Sequence, residues 1–433
     1  MAMRRMARLA SKAPVPVFAI AGRNARERIQ DLELDSRLTL VETPRHARLL
    51  LVAGLIERDA EEALRKIHDQ VPPRMATLWW DSEPIAGLAM NAVTVSATDD
   101  LGAIARQTYQ DLLTGTHPGE GLLCSDEPPA PWEGLGDDGH GGEGMMGGKP
   151  FGRPMAMPTD DLRDGLQLDP MDFTVGPFWP YLPPGLCARV SLHGDVLAEF
   201  EILSKPFPVS LPEIFTQALE KPVPVSELEL ARARYHLRQL SLALRLNGLE
   251  SLAKRVLQRV TILKPGDTVT DIARQLRRVG FFFSAGAGVG VLNANQLAAL
   301  GGPAAYVLKD YRDPREADPV YQQLGFAPVL TSGGDCSGRW RQWLALADQA
   351  LELAAVAQRQ GLTTTAEHPV ASPRGILTSR HQPEDASHVL EGLLPGLEWS
   401  EAMATINSLD LAATKVPQDS ARGGEQNVGG GPS

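Results

Sequence analysis

The chain has little cysteine: three in 433 residues, Cys124, Cys187 and Cys336, with no two close in sequence. An iron–sulfur cluster needs about four thiolates, often supplied by short Cys-x-x-Cys runs, and zinc or nickel-iron sites use comparable local pairs. Ligands of that kind are not expected from this chain. Long apolar runs are missing too. The most apolar windows, around 49–56 and 281–292, fall short of the about 18–20 residues of a membrane-spanning helix, so any membrane association is expected to be peripheral. The basic start Met1-Ala-Met-Arg-Arg-Met-Ala-Arg is followed by an apolar stretch, Val15 to Ala21, that is brief and split by Pro16, which argues against a signal peptide. A cytoplasmic location with reduced, solitary thiols is the expectation. Basic excess is also absent: the net charge of −11 argues against nucleic acid or anionic headgroups as the main partner.

What remains is ordinary globular material, 43% hydrophobic and 22% charged, with length for two or three domains of roughly 150 residues each. Residues 15 to about 115 read as alternating strands and helices. Arg48-Leu-Leu-Leu-Val-Ala-Gly54 is continuously apolar, as a strand buried on both faces would be. Asp59 to Gln70 is amphipathic at helical spacing, with Ala63, Leu64 and Ile67 on one side. Ala76 to Trp80 and Asn91 to Val95 are further strands, and Asp99 to Leu113 is a helix with acidic residues at its positive end. Together they predict an α/β domain over 1–120 with a small parallel sheet.

Composition shifts to Gly, Pro, Asp and Met over 121–170. Glycine costs about 1 kcal/mol per helical position relative to alanine, so Gly134 to Pro154 holds no regular element and reads as a linker or interface loop. Its Trp132, Met145, Met146 and Phe151 are candidate interface anchors. Gly139-His-Gly-Gly-Glu-Gly144 fits the G-x-G-x-x-G pattern, but neither a strand before it nor a helix after it is expected, and the loop reading is preferred to a nucleotide site. From 171 to 416 the chain predicts a mainly helical domain with a small antiparallel sheet: strands at 172–175, 186–192 and 196–203 turning at His193-Gly194-Asp195, then helices over 226–258 (one long or a broken pair), 270–279, 294–300 and 337–360. The tail 417–433 is Gly- and Gln-rich and reads as disordered.

The first half, through Arg45-His-Ala-Arg-Leu-Leu-Leu-Val-Ala-Gly54 and Glu62 to Arg74, resembles the B-type subunit of respiratory complex I and the related hydrogenase small subunits. There a similar strand and helix lead to cysteine-rich loops that hold a cluster. Here the corresponding loops read Ala19-Ile-Ala-Gly-Arg-Asn24, Trp79-Trp-Asp-Ser-Glu-Pro-Ile-Ala-Gly87 and Ser96-Ala-Thr-Asp-Asp100, without cysteine. The second half resembles the D-type subunit, a relative of the hydrogenase large subunit. The likeness lies in Val175-Gly-Pro to Gly185, Gly288-Val-Gly-Val-Leu-Asn-Ala-Asn to Pro303, Asp310-Tyr-Arg-Asp313, Gly334-Asp-Cys-Ser-Gly-Arg339, and Leu394-Pro-Gly-Leu through Ile406-Asn-Ser-Leu-Asp410. The histidine that the D-type hairpin places at the quinone head group is replaced within Gly176-Pro-Phe-Trp-Pro-Tyr-Leu-Pro-Pro-Gly185.

The resemblance therefore implies a fusion of B-like and D-like modules without cluster, nickel or quinone ligands. It would be a non-redox subunit in the peripheral arm of a complex I-like, ion-translocating assembly, on the cytoplasmic face of the inner membrane. Its partners would be antiporter-like membrane subunits and other arm subunits. The alternative is a true quinone oxidoreductase or hydrogenase-type subunit working with ligands from partner chains. Asp310, Arg312, Asp335 and Arg339 are the candidate charges, read first as an ion-pair network that fixes helix packing, because buried charges must pair, and second as a proton relay. The histidines, His46, His68, His193, His368, His381 and His388 among them, are scattered. No catalytic nucleophile, base and orienter set stands out.

Overall fold

The structure, a computed structural model, describes residues 13–88, 92–124, 170–284, 286–300, 302–306, 312–330, 334–365, 369–378 and 380–415. Strands β1 (Val15–Ala21), β2 (Leu38–Leu40), β3 (Leu49–Ala53), β4 (Ala76–Trp80) and β5 (Val93–Val95) form one all-parallel sheet in the order β2-β1-β3-β4-β5. Every residue of β3 and β4 is buried, as cover on both faces requires, and only Thr77 interrupts their apolar runs. Val15, Val17, Leu49, Leu51 and Leu78 pack with helices α1 (Arg26–Leu32) and α3 (Leu101–Thr114) on one side. Phe18, Ile20, Leu50, Val52 and Trp79 pack with α2 (Glu61–Gln70) on the other. Helix α3 starts later than its acidic lead-in suggests because Asp100 is the cap, accepting from the Ala103 amide at 3.2 Å. It ends at Gly115, whose φ of +78° suits glycine.

After residue 169 the chain forms the antiparallel sheet β6 (Pro170–Val175), β7 (Cys187–His193) and β8 (Val196–Ser204). The longer helices are α4 (Val225–Leu246), α5 (Glu250–Ile262), α6 (Thr270–Arg278), α7 (Cys336–Gln360) and α8 (Trp399–Ser408); among the shorter ones, Ala294–Ala299 forms where a helix is expected. The expected 226–258 element is thus a broken pair, with the break at Asn247-Gly248, where Gly248 is at φ +70°. Leu237, Leu240 and Leu244 of α4 share one core with Trp340, Trp343, Ala347 and Leu351 of α7, and Trp340 stacks on Phe281 at 5.0 Å. Phe282 is also buried, but Phe283 is 77% exposed. A short hairpin, β9 (Val370–Ser372) and β10 (Gly375–Leu377), completes the described strands.

The two domains meet along a seam. Phe178 and Phe207 of the second domain complete the core against α2. From α4, Arg238 pairs with Asp31 at 2.8 Å and Arg245 with Glu33, both carboxylates lying on α1 or just after it. Trp132, Met145, Met146 and Phe151 fall outside the described residues, as does Gly139 to Gly144.

The last described residues of the first domain are tied down by a histidine that sequence gave no reason to single out. His68 is 2% exposed; its Nδ1 lies 2.8 Å from Asp69 and its Nε2 2.9 Å from Glu120. Glu120 also accepts from the Thr77 amide and hydroxyl, and Asp69 from the amides of Leu123 and Cys124. Burial works against the charged ring, but the two carboxylates outweigh it and raise its pKa. The stability gained is therefore present below the unfolded value of about 6.5 and is lost as pH rises through the higher folded value. Urea melts from mildly acidic to mildly alkaline pH should show this loss in the parent, and His68→Gln should flatten it. An unchanged slope in the variant would remove the assignment.

Candidate functional site at the domain seam

Strand order reverses between β1 and β3, and in open parallel sheets the carboxyl ends of the strands at such a point form a natural crevice. The chain builds it tightly. A Cβ on Gly22 would lie 2.5 Å from the Leu55 carbonyl, and one on Gly54, at φ +75°, 2.4 Å from that of Arg23. The following Asn24 turns left-handed at φ +62°, and its side-chain carbonyl accepts from the Ser210 amide of the second domain at 2.9 Å. Arg23 pairs with Glu57, and Arg28 pairs with Asp81 at 2.9 Å while lying over Trp80. The loops where the resemblance places cluster ligands thus carry ion pairs and a domain-crossing hydrogen bond.

Over this edge lies a cavity of about 240 Å³. The first domain contributes 22–24 and 26–28; the second contributes Pro183, Pro184, the 207–212 loop, Tyr235 and Gln239 of α4, Arg374, Ile406, Asn407 and 409–412. One corner is a fixed polar cluster. Arg374, at the β9–β10 turn, bonds Asp410, the Ala412 carbonyl, the Thr414 hydroxyl at 3.0 Å and the Tyr235 hydroxyl at 3.1 Å. Tyr235 in turn donates to Asp410. Burial, with Asp410 beside it, pushes the Tyr235 phenol well above its ordinary range, so it stays a neutral donor.

Of the candidate charges of the second domain, Asp335 and Arg339 do not pair with each other. Asp310 lies outside the described residues, and Arg312 is exposed ahead of the 314–316 turn. Asp335 is the N-cap of α7, accepting from the amides of Gly338 and Gly288, each at 2.7 Å. Arg339, 1% exposed, makes no ion pair with it. The guanidinium bonds the Ser408 hydroxyl at 2.7 and 2.9 Å, the carbonyls of Gly290 and Gly334, and the Cys336 sulfur. The expected pairing fails because the capping role turns the Asp335 carboxylate toward amides. The Gly288-Val-Gly290 motif acquires a reason here: a Cβ on Gly290 would lie 2.5 Å from Thr405 Oγ1 and 3.1 Å from the Arg339 guanidinium.

A buried ion-pair network sits elsewhere, on Glu229, Arg232, Asp313 and Arg315, of which only Asp313 belongs to a motif singled out from sequence, as its last residue. Glu229, fully buried on α4, accepts from Arg232 at 3.0 Å, Arg315 at 3.4 Å and Tyr321 at 2.6 Å. Arg315 forks onto Asp313 at 2.8 and 3.0 Å. Burial would raise the Asp313 carboxyl, but Arg315 and Tyr306 hold it down at about 2. A sequence signal existed: Glu229, Arg232 and His236 recur at i, i+3 and i+7 on the face that also carries Ala233, Leu237 and Leu240. Among the described residues no group of three or more His, Cys, Asp or Glu could hold a metal ion, and the three cysteines are all free.

No family model and no curated protein matches this sequence. Among solved structures, a chain of the membrane-bound sulfane sulfur reductase, an archaeal respiratory membrane complex, is similar to it at 16% identity and a TM-score of 0.37, over 56% of this chain and 96% of that one.

Two substitutions separate the roles of the α7 start. Asp335→Ala removes a cap and should cost about 1–2 kcal/mol in chemical denaturation. Arg339→Met strands several buried acceptors and should cost about 3 kcal/mol or more. Equal losses would show that the two side chains act as one unit.

Proposed function

We propose that this chain is a non-redox subunit in the peripheral arm of a complex I-like, ion-translocating membrane assembly, where it packs and couples rather than carries electrons. The reading rests on the ordered motifs of both halves. The observation that carries it is the ion-paired edge of the parallel sheet: Arg23 with Glu57, Arg28 with Asp81 and Asn24 with Ser210 stand at loops where the resemblance implies thiolates. The two ion pairs tie the loops of the sheet edge to one another, and Asn24 ties that edge to the second domain. Peripheral attachment is part of the reading; no described helix is long and apolar enough to cross a membrane. Partner contacts are assigned to the segment with Trp132, Met145, Met146 and Phe151, whose large side chains in glycine-rich sequence would offset the cost of ordering it.

Metal analysis and electron paramagnetic resonance test the redox half of the proposal. After gel filtration and reduction, the purified chain should be free of stoichiometric iron, sulfide and nickel and should give no cluster signal. Retained stoichiometric metal would favour the oxidoreductase alternative. A Gly/Ser replacement of 134–154 tests the partner half: the variant should stay folded yet lose co-purification with antiporter-like membrane subunits. Unchanged co-purification would reduce the segment to a tether.

A further inference from the structure

We propose that the seam cavity is a binding site for a small carboxylic acid bearing an apolar body and a hydroxyl group. Charge is the first argument. The chain as a whole carries −11, yet the charged residues of the cavity wall are four arginines, Arg23, Arg26, Arg28 and Arg374, against two carboxylates, Glu27 and Asp410. Three of these arginines are matched by Glu57, Asp81 and Asp410 respectively for Arg23, Arg28 and Arg374, and Glu27 lies 3.9 Å from Arg238. Arg26 has no hydrogen bond or ion pair among the described residues. Asp410 attracts it at longer range but is already held by Arg374 and Tyr235. Arg26 is half-buried in the cavity wall, and an anion in the cavity would supply the contact partner its guanidinium lacks.

Asn407 is the second, independent argument. It is 91% buried, and its side-chain oxygen has no hydrogen-bond partner although it is fully shielded by the fold. Asn407 lines the cavity with Arg26, and the two also share the small adjoining cavity toward Tyr181. Buried acceptors are nearly always paired; this one awaits a donor beside the unpaired cation. A carboxylate on Arg26 with a neighbouring hydroxyl to Asn407 answers both needs. A hydroxyl suits the positive wall better than an ammonium group.

The rest of the wall fixes size and polarity. Pro183, Pro184, Phe207, Leu211 and Leu411 make it apolar away from Arg26. The volume of about 240 Å³ equals roughly eight waters at ~30 Å³ each, enough for a benzyl-sized body. Because the wall draws on both domains, occupancy would also tie them together. The inference goes beyond the subunit assignment and does not depend on it.

Calorimetric titration of the full chain with phenyllactate tests it, with phenylpropionate and phenyllactamide as comparisons. Phenyllactate should bind and raise the melting temperature. Phenylpropionate, which lacks the hydroxyl, should bind more weakly, and uncharged phenyllactamide should lose at least about tenfold, the worth of one charge-assisted contact. Arg26→Gln should remove the discrimination between acid and amide. Val209→Trp, which fills the cavity from a half-buried loop position, should abolish binding while circular dichroism shows the fold intact. No binding of phenyllactate at millimolar concentration, equal binding of acid and amide, or full binding by either folded variant would overturn the proposal. None of these readouts involves metal or a membrane partner, so failure here is distinguishable from failure of the subunit reading.

Discussion

Helix α4 serves two masters, and the rest of the architecture depends on that. Its apolar face is half of the helical core, through Leu237, Leu240 and Leu244. Its flank reaches across the seam, where Arg238 and Arg245 meet carboxylates on and after α1. The orientation of the parallel sheet against the helical domain is therefore set by the same rod that organises the helices. The cavity lies where α4, the β1–α1 turn and the 406–412 segment converge, and Tyr235 and Gln239 of α4 form part of its wall.

Buried charge is handled differently in two places. Around Glu229 the cations and carboxylates alternate in contact, so each desolvated group has an opposite charge or a tyrosine hydroxyl beside it. Around Arg339 the compensation comes from carbonyl and hydroxyl dipoles, and burial pushes its pKa below the usual guanidinium range. The first arrangement does not tolerate the loss of any one member, since removing a partner strands another charge. The second fixes three chain segments, at 290, 334 and 408, around one planar fork.

Much of the fold was legible. The runs at 49–53 and 76–80 match β3 and β4, the His193-Gly194 hairpin formed as expected, and the helix expected over 337–360 is α7. The strand β1 was obscured by Pro16, which lacks an amide to donate; it sits beside Thr39 of short β2, one residue before the pairing with β3 begins. The hairpin at 370–377 is too short to show a period. The site was less legible than the fold. Charged residues near recognisable motifs drew attention, whereas the groups that converge on the cavity come from 22–28, 235, 374 and 407–410. Only tertiary packing brings these together. Asp335 shows the limit most clearly: an aspartate before a helix is a cap first, and its neighbour Arg339 had to find other partners.

Both sides of the seam belong to one polypeptide. Docking of the sheet domain onto the helical domain is therefore an intramolecular event, and its effective concentration lies far above that of two separate subunits in solution. Contacts such as Arg238 with Asp31, partly exposed on the carboxylate side and worth only about 0–1 kcal/mol each, then suffice to keep the halves together. Surface charges of this kind are screened by salt, whereas the phenylalanines at the seam are not. A single chain can thus loosen along its polar rim while staying anchored at Phe178 and Phe207, a freedom that two dissociable subunits held by the same contacts would not have.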